Sequence, residues 1–311
     1  MGKYSVSVNN QQLLLNNNPF QAIGLRCSNA LYSEATTQDL IDNLELYASY
    51  GINSVSVFFM GNRFGDIKGY HQDATLNPIY AQRMGKIIEA ADSLGMVILV
   101  GCLYWGNSKA KWEGWAQKEV NTAVRNTVSW LQEHDYRNVI VDPDNEGMGR
   151  EQAGFDTREL ILAGKEVSQS YVIGSNFMGT PPTEADVALH FSDKDPNKPY
   201  IESEGTPMNA PGGYWVSYSN EMDPGNYYRK GNRYNYIRVG VYTEAMKEEQ
   251  IRATRAHLEK GYGYMLASTW LQAVPPLGPN HHPGGSGSDT DPGIRWWLEN
   301  IRQNYQLYRP K

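Results

Sequence analysis

The chain is poor in several things, and each shortage excludes a class of protein. It has 2 cysteines in 311 residues, so it is no disulfide-stapled scaffold. Cys27 and Cys102 fall in the first and third of the strands read below, with another strand between them. At a strand spacing of ~4.8 Å they sit roughly 9–10 Å apart, beyond the ~7 Å that a disulfide tolerates. Two free, buried thiols are expected. Basic charge is in deficit, with 28 Lys and Arg against 34 Asp and Glu, a formal charge of −6. That disfavours nucleic acid as a partner. No apolar run reaches the ~18 residues of a membrane span, so no membrane partner is expected. Met1-Gly2-Lys3-Tyr4 shows no basic region followed by an apolar stretch. Two localisations are left open, cytoplasmic or, with a leader removed, secreted or periplasmic.

Apolar residues make up 40% of the chain, enough for a large core. Behind a loosely alternating segment at 4–15, read as a short hairpin, one unit repeats: apolar strand, polar loop, amphipathic helix. The strands are 21–29, 52–60, 96–105, 138–145, 171–175, 187–191, 200–204 and 262–270. The helices are 37–50 with Thr37 as N-cap, 78–94, 114–134, 157–168, 243–260 and 293–308, with a helical turn at 182–186. Alternation implies a parallel sheet. Eight such strands favour a closed (β/α)8 TIM barrel over an open doubly wound sheet, and no dinucleotide-binding glycine motif follows the first strand. The whole chain, 1–311, reads as one catalytic domain. Long loops at 206–242 and 271–292 break the rhythm. Loops of that length act as lids or binding walls.

Active sites of such barrels lie at the C-terminal ends of the strands. Those ends carry Arg26 and Asn29, Asn62 and Arg63, Tyr104 and Trp105, Asn145 and Glu146, Asn176, His190, Glu204 and Trp270. Two stretches stand out. Val139-Ile140-Val141-Asp142-Pro143-Asp144-Asn145-Glu146-Gly147 is a branched apolar strand that ends in carboxylates and an amide. Pro199-Tyr200-Ile201-Glu202-Ser203-Glu204-Gly205 is its counterpart. Cleaving a glycosidic bond takes two carboxyl groups, one to protonate the leaving oxygen and one to attack or to activate water. Glu146 and Glu204, on strands four and seven, face each other across the mouth. Glu202 shares the parity of Glu204 but lies deeper, where Arg26 or another interior group would have to partner it. Glu204 is therefore preferred. The 21 tyrosines and 8 tryptophans suit sugar faces, with part of them core.

Here the sequence resembles clan A of the glycoside hydrolases, retaining (β/α)8 enzymes of cellulase and mannanase type, over nearly its whole length. The motifs are Asn145-Glu146, the run Lys198 to Gly205, Gly51-Ile52-Asn53 opening strand two, and Ser268-Thr269-Trp270 ending strand eight. The resemblance implies a retaining double displacement on an oligo- or polysaccharide, with Glu146 as acid/base and Glu204 as nucleophile. It places Asn145 on a sugar 2-hydroxyl, Trp270 under the bound sugar, and His190 at a common clan position. Arg26, Asn29, Arg63, Tyr104, Trp105 and Trp215 complete the expected substrate-binding set. Three positions depart from the clan: Ser56 replaces an arginine, the Tyr104 region a histidine, and Ser192 a tyrosine. Arg26 is the candidate for the missing positive charge beside Glu204.

The run Tyr227 to Arg238 is locally basic, which suits an anionic or sulfated polysaccharide or simply a solvated face. His281-His282 with Asp289 and Asp291 lacks the spacing of zinc motifs, so no metal and no cofactor is expected. A non-catalytic carbohydrate-binding barrel would share the aromatic loops without needing both carboxylates. A metal-dependent barrel enzyme would need more histidines at the strand ends.

Overall fold

A computed structural model describes residues 2–61, 66–205, 244–267 and 293–305. Eight parallel strands close into a barrel in chain order. They are β4 (Ile23–Arg26), β5 (Ser54–Phe58), β8 (Val97–Leu103), β9 (Val139–Asp144), β10 (Val172–Ser175), β11 (Val187–Leu189), β12 (Tyr200–Gly205) and β13 (Gly263–Leu266), which pairs back onto β4. The strands are shorter than the sequence pattern suggests. The apolar pattern marks burial, which extends past the last ladder hydrogen bond at most strand ends.

Helices α1 (Glu34–Ser49), α2 (Pro78–Ser93), α4 (Gln117–Glu133), α6 (Thr157–Val167), α7 (Glu244–Leu258) and α8 (Arg295–Asn304) accompany the strands. Two shorter ones, α3 (Trp105–Ser108) and α5 (Met148–Ala153), sit on the loops after β8 and β9. In α4 the buried residues Val120, Ala123, Val124, Thr127, Val128 and Leu131 follow the helical period and form one face. The first helix starts earlier than Thr37. Ser33 is its cap: its hydroxyl accepts from Thr36 N at 3.1 Å, while Thr36 Oγ1 accepts from Ser33 N at 2.9 Å. Thr37 instead donates to the carbonyl of Ala30. The segment at 182–186 is a single turn closed by Ala185 N on Pro182 O.

The N-terminal hairpin has a third strand. β1 (Val6–Asn9), β2 (Gln12–Leu15) and β3 (Asn18–Phe20) form an antiparallel sheet. Asn10, Asn16 and Asn17 take left-handed backbone in its turns, which Asn tolerates. Pro19 is accommodated because β3 is an edge strand. Val6, Leu13 and Leu15 are buried, and Val6 N donates to Arg137 O. The sheet lies at the lower end of the barrel. A cavity of about 930 Å³ opens there between it and the starts of β4, β12 and β13. A short antiparallel pair, β6 (Met60–Gly61) with β7 (Ile67–Lys68), follows β5.

Cys27 and Cys102 are free and buried. Burial pushes the Cys102 thiol up to about 12, so it is not a nucleophile at neutral pH. Among the described residues no helix is long and apolar enough to cross a membrane.

Buried residues alternate in character along the barrel strands: Leu25 precedes Arg26, Val55 precedes Ser56, Val141 precedes Asp142 and Ile201 precedes Glu202, which puts the apolar and the polar sets on opposite faces of the sheet. Ile23, Leu25, Val55, Val57, Val141, Leu189 and Ile201 are fully or almost fully buried core. Arg26, Ser56, Asp142, Ser175, Asn176 and Glu202 are also buried, and they are polar. Gly101 marks a close approach within this layer, because a Cβ there would lie 2.0 Å from Cδ1 of Phe58. Phe58 in turn carries the Arg26 guanidinium on its face at 4.6 Å. Gly101→Ala should therefore destabilise the protein by about 1–3 kcal/mol, as overpacking does. Urea unfolding of the two proteins checks it.

Candidate active site

The upper mouth is organised on Arg26, the last residue of β4, which is wholly buried. Its Nη2 donates to Asn145 Oδ1 at 2.9 Å and lies 3.3 Å from Glu204 Oε2, while Nη1 reaches Ser203 O at 3.4 Å. Phe58 and Tyr104 flank the guanidinium, with ring centroids at 4.6 and 5.8 Å. Burial alone would lower the pKa of Arg26, but Glu204, Tyr104 and Glu146 outweigh it and hold the group firmly charged. Arg26 is the register partner of Ser56 on β5. A buried cation thus stands level with Ser56, on the neighbouring strand.

Glu146 follows β9 on a strained turn. Its φ and ψ are 57° and 13°, unusual for a residue with a side chain, and Gly147 also has positive φ, 64°. At Gly147 a Cβ would meet Cβ of Phe177 at 2.5 Å, so only glycine fits. Asp144 holds this turn in place. It is buried and accepts from Gly149 N at 2.9 Å and Arg150 N at 3.0 Å, at the start of α5. Burial raises Asp144 to about 7, despite those two bonds.

Glu204 sits on a bulge. The β12–β13 register shifts between Glu202 and Gly205, where three steps on β12 match two on β13. Glu204 keeps 21% side-chain exposure, whereas Glu202 is buried. The partner of Glu202 is not Arg26. It is His190, whose Nδ1 contacts Glu202 Oε1, with the Tyr200 hydroxyl 3.1 Å from Oε2. His190 directly follows β11 with φ of 39°, a second strained non-glycine position at the mouth.

One oxygen each from Glu146 and Glu204 and a ring nitrogen of His190 lie within 4.8 Å of one another. Burial raises Glu146 well above the usual carboxylate range. The adjacent Glu204 adds to this through charge and a hydrogen bond; Arg26 and Asn145 oppose it. The two carboxyl groups are thus inequivalent: one leans toward the acid form, the other faces a guanidinium. A dication could in principle be held by these three side chains, but the buried guanidinium beside them disfavours it.

Of the other expected site residues, Asn145 is buried and spends its oxygen on Arg26. Asn29 is buried in the loop after β4. Tyr104 is 7% exposed beside Arg26. Trp105 is 4% exposed and turns into an aromatic cluster, 4.9 Å from Phe155 and 6.2 Å from Trp115. Arg63, Trp215 and Trp270 lie outside the described residues, as do the two long loops, the basic run at 227–238 and the histidine pair at 281–282.

Several site groups escaped the sequence reading in their roles. Glu202 with His190 is one case. Asp142 is another: it is fully buried, accepts from Asn176 Nδ2 at 2.8 Å, and is raised by burial to about 6. The available signal was the alternation of Asp142 and Asp144 in an otherwise apolar strand, which puts both on one face.

A scan against protein-family models finds no match, and a comparison with curated proteins finds none. Solved structures do match. A glycoside hydrolase of family 5 from Bacteroides vulgatus superimposes with a TM-score of 0.60 at 16% identity, over 97% of this chain and 70% of that one. The barrel resembles those of the clan A glycoside hydrolases. A β-glucanase from Saccharophagus degradans gives a TM-score of 0.53 at 12% identity, over 97% of this chain and 93% of its own. The catalytic domain of a Thermobifida fusca endoglucanase gives 0.53 at 13%, over 96% and 97%. At these identities the likeness is one of fold.

Asp142 yields a pH prediction. Its folded pKa is raised above the unfolded carboxylate value. Between about pH 4 and 6 the folded state therefore binds the extra proton, and stability falls as pH rises through that window. Asp142→Asn keeps an acceptor for Asn176 and should flatten this slope, gaining on the order of 2 kcal/mol at pH 7. Thermal unfolding from pH 4 to 8 measures it.

Proposed function

We propose that this protein is a retaining glycoside hydrolase acting on an oligo- or polysaccharide, with Glu146 as acid/base and Glu204 as nucleophile. The observation that carries the reading is the pairing of two inequivalent carboxyl groups. Their oxygens lie within 4.8 Å, one is pushed toward its acid form, and the other lies against Arg26. Carboxyl groups about 5–5.5 Å apart leave room for direct attack on the anomeric carbon, and a gap of about 6.5–9.5 Å would be needed to seat a water. The fold likeness to glycoside hydrolases supports the same reading.

In this scheme Glu146 protonates the departing oxygen while Glu204 attacks the anomeric carbon. Esterification removes the charge of Glu204. The pKa of Glu146 then falls, and the same group can take a proton from the incoming water. The Arg26 guanidinium beside Glu204 favours its charged form. Asn145, fixed by Arg26, would present its amide group to a sugar hydroxyl. The loops at 206–242 and 271–292, with Arg63, Trp215 and Trp270, would supply further sugar contacts. The basic run at 227–238 makes an anionic polysaccharide the substrate variant to include.

The test is hydrolysis of a panel of aryl β-glycosides and polysaccharides, sulfated ones included, by wild type, Glu146→Gln and Glu204→Gln. Each variant should keep its fold by circular dichroism and lose at least about 10²–10⁴ in kcat. Wild-type rates in both variants would overturn the assignment. Sugar binding without turnover by the wild type would favour a binding barrel.

A further inference from the structure

Glu202 has no part in the scheme above, yet it is one of the most completely engaged side chains in the barrel. It is 3% exposed, two residues before Glu204 and one step below it. Its Oε1 accepts twice, from His190 Nδ1 and, at 3.1 Å, from the backbone N–H of Glu204. Its Oε2 lies 3.1 Å from the Tyr200 hydroxyl, which also reaches the His190 carbonyl at 2.6 Å. A single carboxylate oxygen thus ties the imidazole just after β11 to the backbone of the bulge on β12. The Tyr200 hydroxyl ties the same two strands again, at the His190 peptide whose φ is 39°. Such a strained residue persists only where its surroundings over-determine it.

The imidazole has two nitrogens. Nδ1 is engaged by Glu202, and a ring nitrogen of His190 also joins the cluster with Glu146 and Glu204 at the mouth. A histidine whose one N–H is taken by a buried carboxylate is fixed in ring orientation and favoured in its charged form. We propose that Glu202 is a positioning residue that fixes His190 as an imidazolium on the two carboxyl groups of the site. His190 then supplies, with Arg26, the second cation beside them. This role rests on the hydrolase reading for its catalytic consequence, but not for the charge itself.

The groups facing the imidazole come from several elements. Glu202 and Glu204 stand on β12, Arg26 on β4, Asp142 on β9, and Glu146 just after β9. Phe191 lies against the ring at 4.1 Å, and His257 on α7 faces Glu202 from behind. Burial and Arg26 act against the charged imidazole, while Glu202 and Glu204 more than offset them. Burial would raise Glu202, but His190 and the Glu204 N–H bring it below the usual carboxylate range. The signs agree. The pair is fully charged from about pH 4.5 to 6.5, the ordinary Glu and His values. It is lost on the acid side as Glu202 protonates and on the alkaline side as His190 deprotonates.

Glu202→Gln is the informative variant, because the amide oxygen can still accept from His190 and from Glu204 N while the charge is gone. With 6 histidines in the chain, the His190 imidazole resonances can be assigned by their loss in His190→Gln, and titrated by NMR without substrate. In Glu202→Gln the His190 midpoint should drop by about one pH unit or more. An unchanged midpoint, or a His190 already neutral in the wild type at pH 6, overturns the proposal. With a hydrolysable glycoside, Glu202→Gln should lower kcat/KM about tenfold. In the His190→Gln background it should add little, since both changes remove one cation. Additive losses would mean that Glu202 acts by supporting the fold alone, and would overturn the positioning role. A wild type inactive on every glycoside but showing the shifted His190 midpoint would remove the hydrolase reading and support the Glu202–His190 couple.

Discussion

A guanidinium buried inside a parallel barrel is the constraint on which the upper half of this molecule depends. Arg26 cannot shed its charge, and no water surrounds it, so the neighbouring strand ends must answer it. They do so from around the barrel: Asn145 after β9, Ser203 and Glu204 on β12, Phe58 on β5 and Tyr104 after β8. Removing any of the polar partners would leave part of a buried ion unpaired, and that is among the costliest single defects in a protein interior. The cation therefore ties Glu204 on one strand end to Asn145, the residue before Glu146, on another.

The backbone around those glutamates is held under strain at two places and irregular at a third. Glu146 and His190 have positive φ, and β12 carries a bulge before Glu204. Regular strands would send alternate side chains in and out along the axis. These departures instead turn three side chains toward one point above the core. The strain is met by local anchors that are themselves buried: Asp144 on the α5 amides, Gly147 against Phe177, and Glu202 on His190 and the Glu204 N–H. Buried acids raised toward neutrality, such as Asp142 and Asp144, cost some stability near pH 7. What they secure in exchange is position.

Under the proposed reading, the site keeps the carboxylates of the cellulase-like pattern and changes their surroundings. Ser56, Tyr104 and Ser192 stand where an arginine, a histidine and a tyrosine are expected. The charge reappears one strand away on Arg26, level with Ser56. Ser192 instead knits the end of β10, donating to Ser175 O at 2.8 Å. Electrostatics at a reacting centre depends on distance and burial rather than on which strand carries the charge. The neighbouring strand can therefore serve as well.

By itself the sequence determined the repeat of strand and helix, the eight-strand count, the two Glu-Gly strand ends, the free thiols and the place of Arg26 at the mouth. Each of these follows from short-range signals: apolar periodicity, turn residues, and the rule that a parallel barrel presents polar groups at its C-terminal edge. Tertiary structure alone decided the rest. The partner of Glu202 is His190 and not Arg26, Trp105 packs on Trp115 and Phe155, Ser33 caps the first helix, and a third strand completes the N-terminal sheet. In most of these the sequence offered more than one chemically reasonable partner. Which one lies within hydrogen-bonding or packing distance is set by strand register and by the bulge. Those depend on how the whole barrel closes, a property no local stretch of the chain encodes.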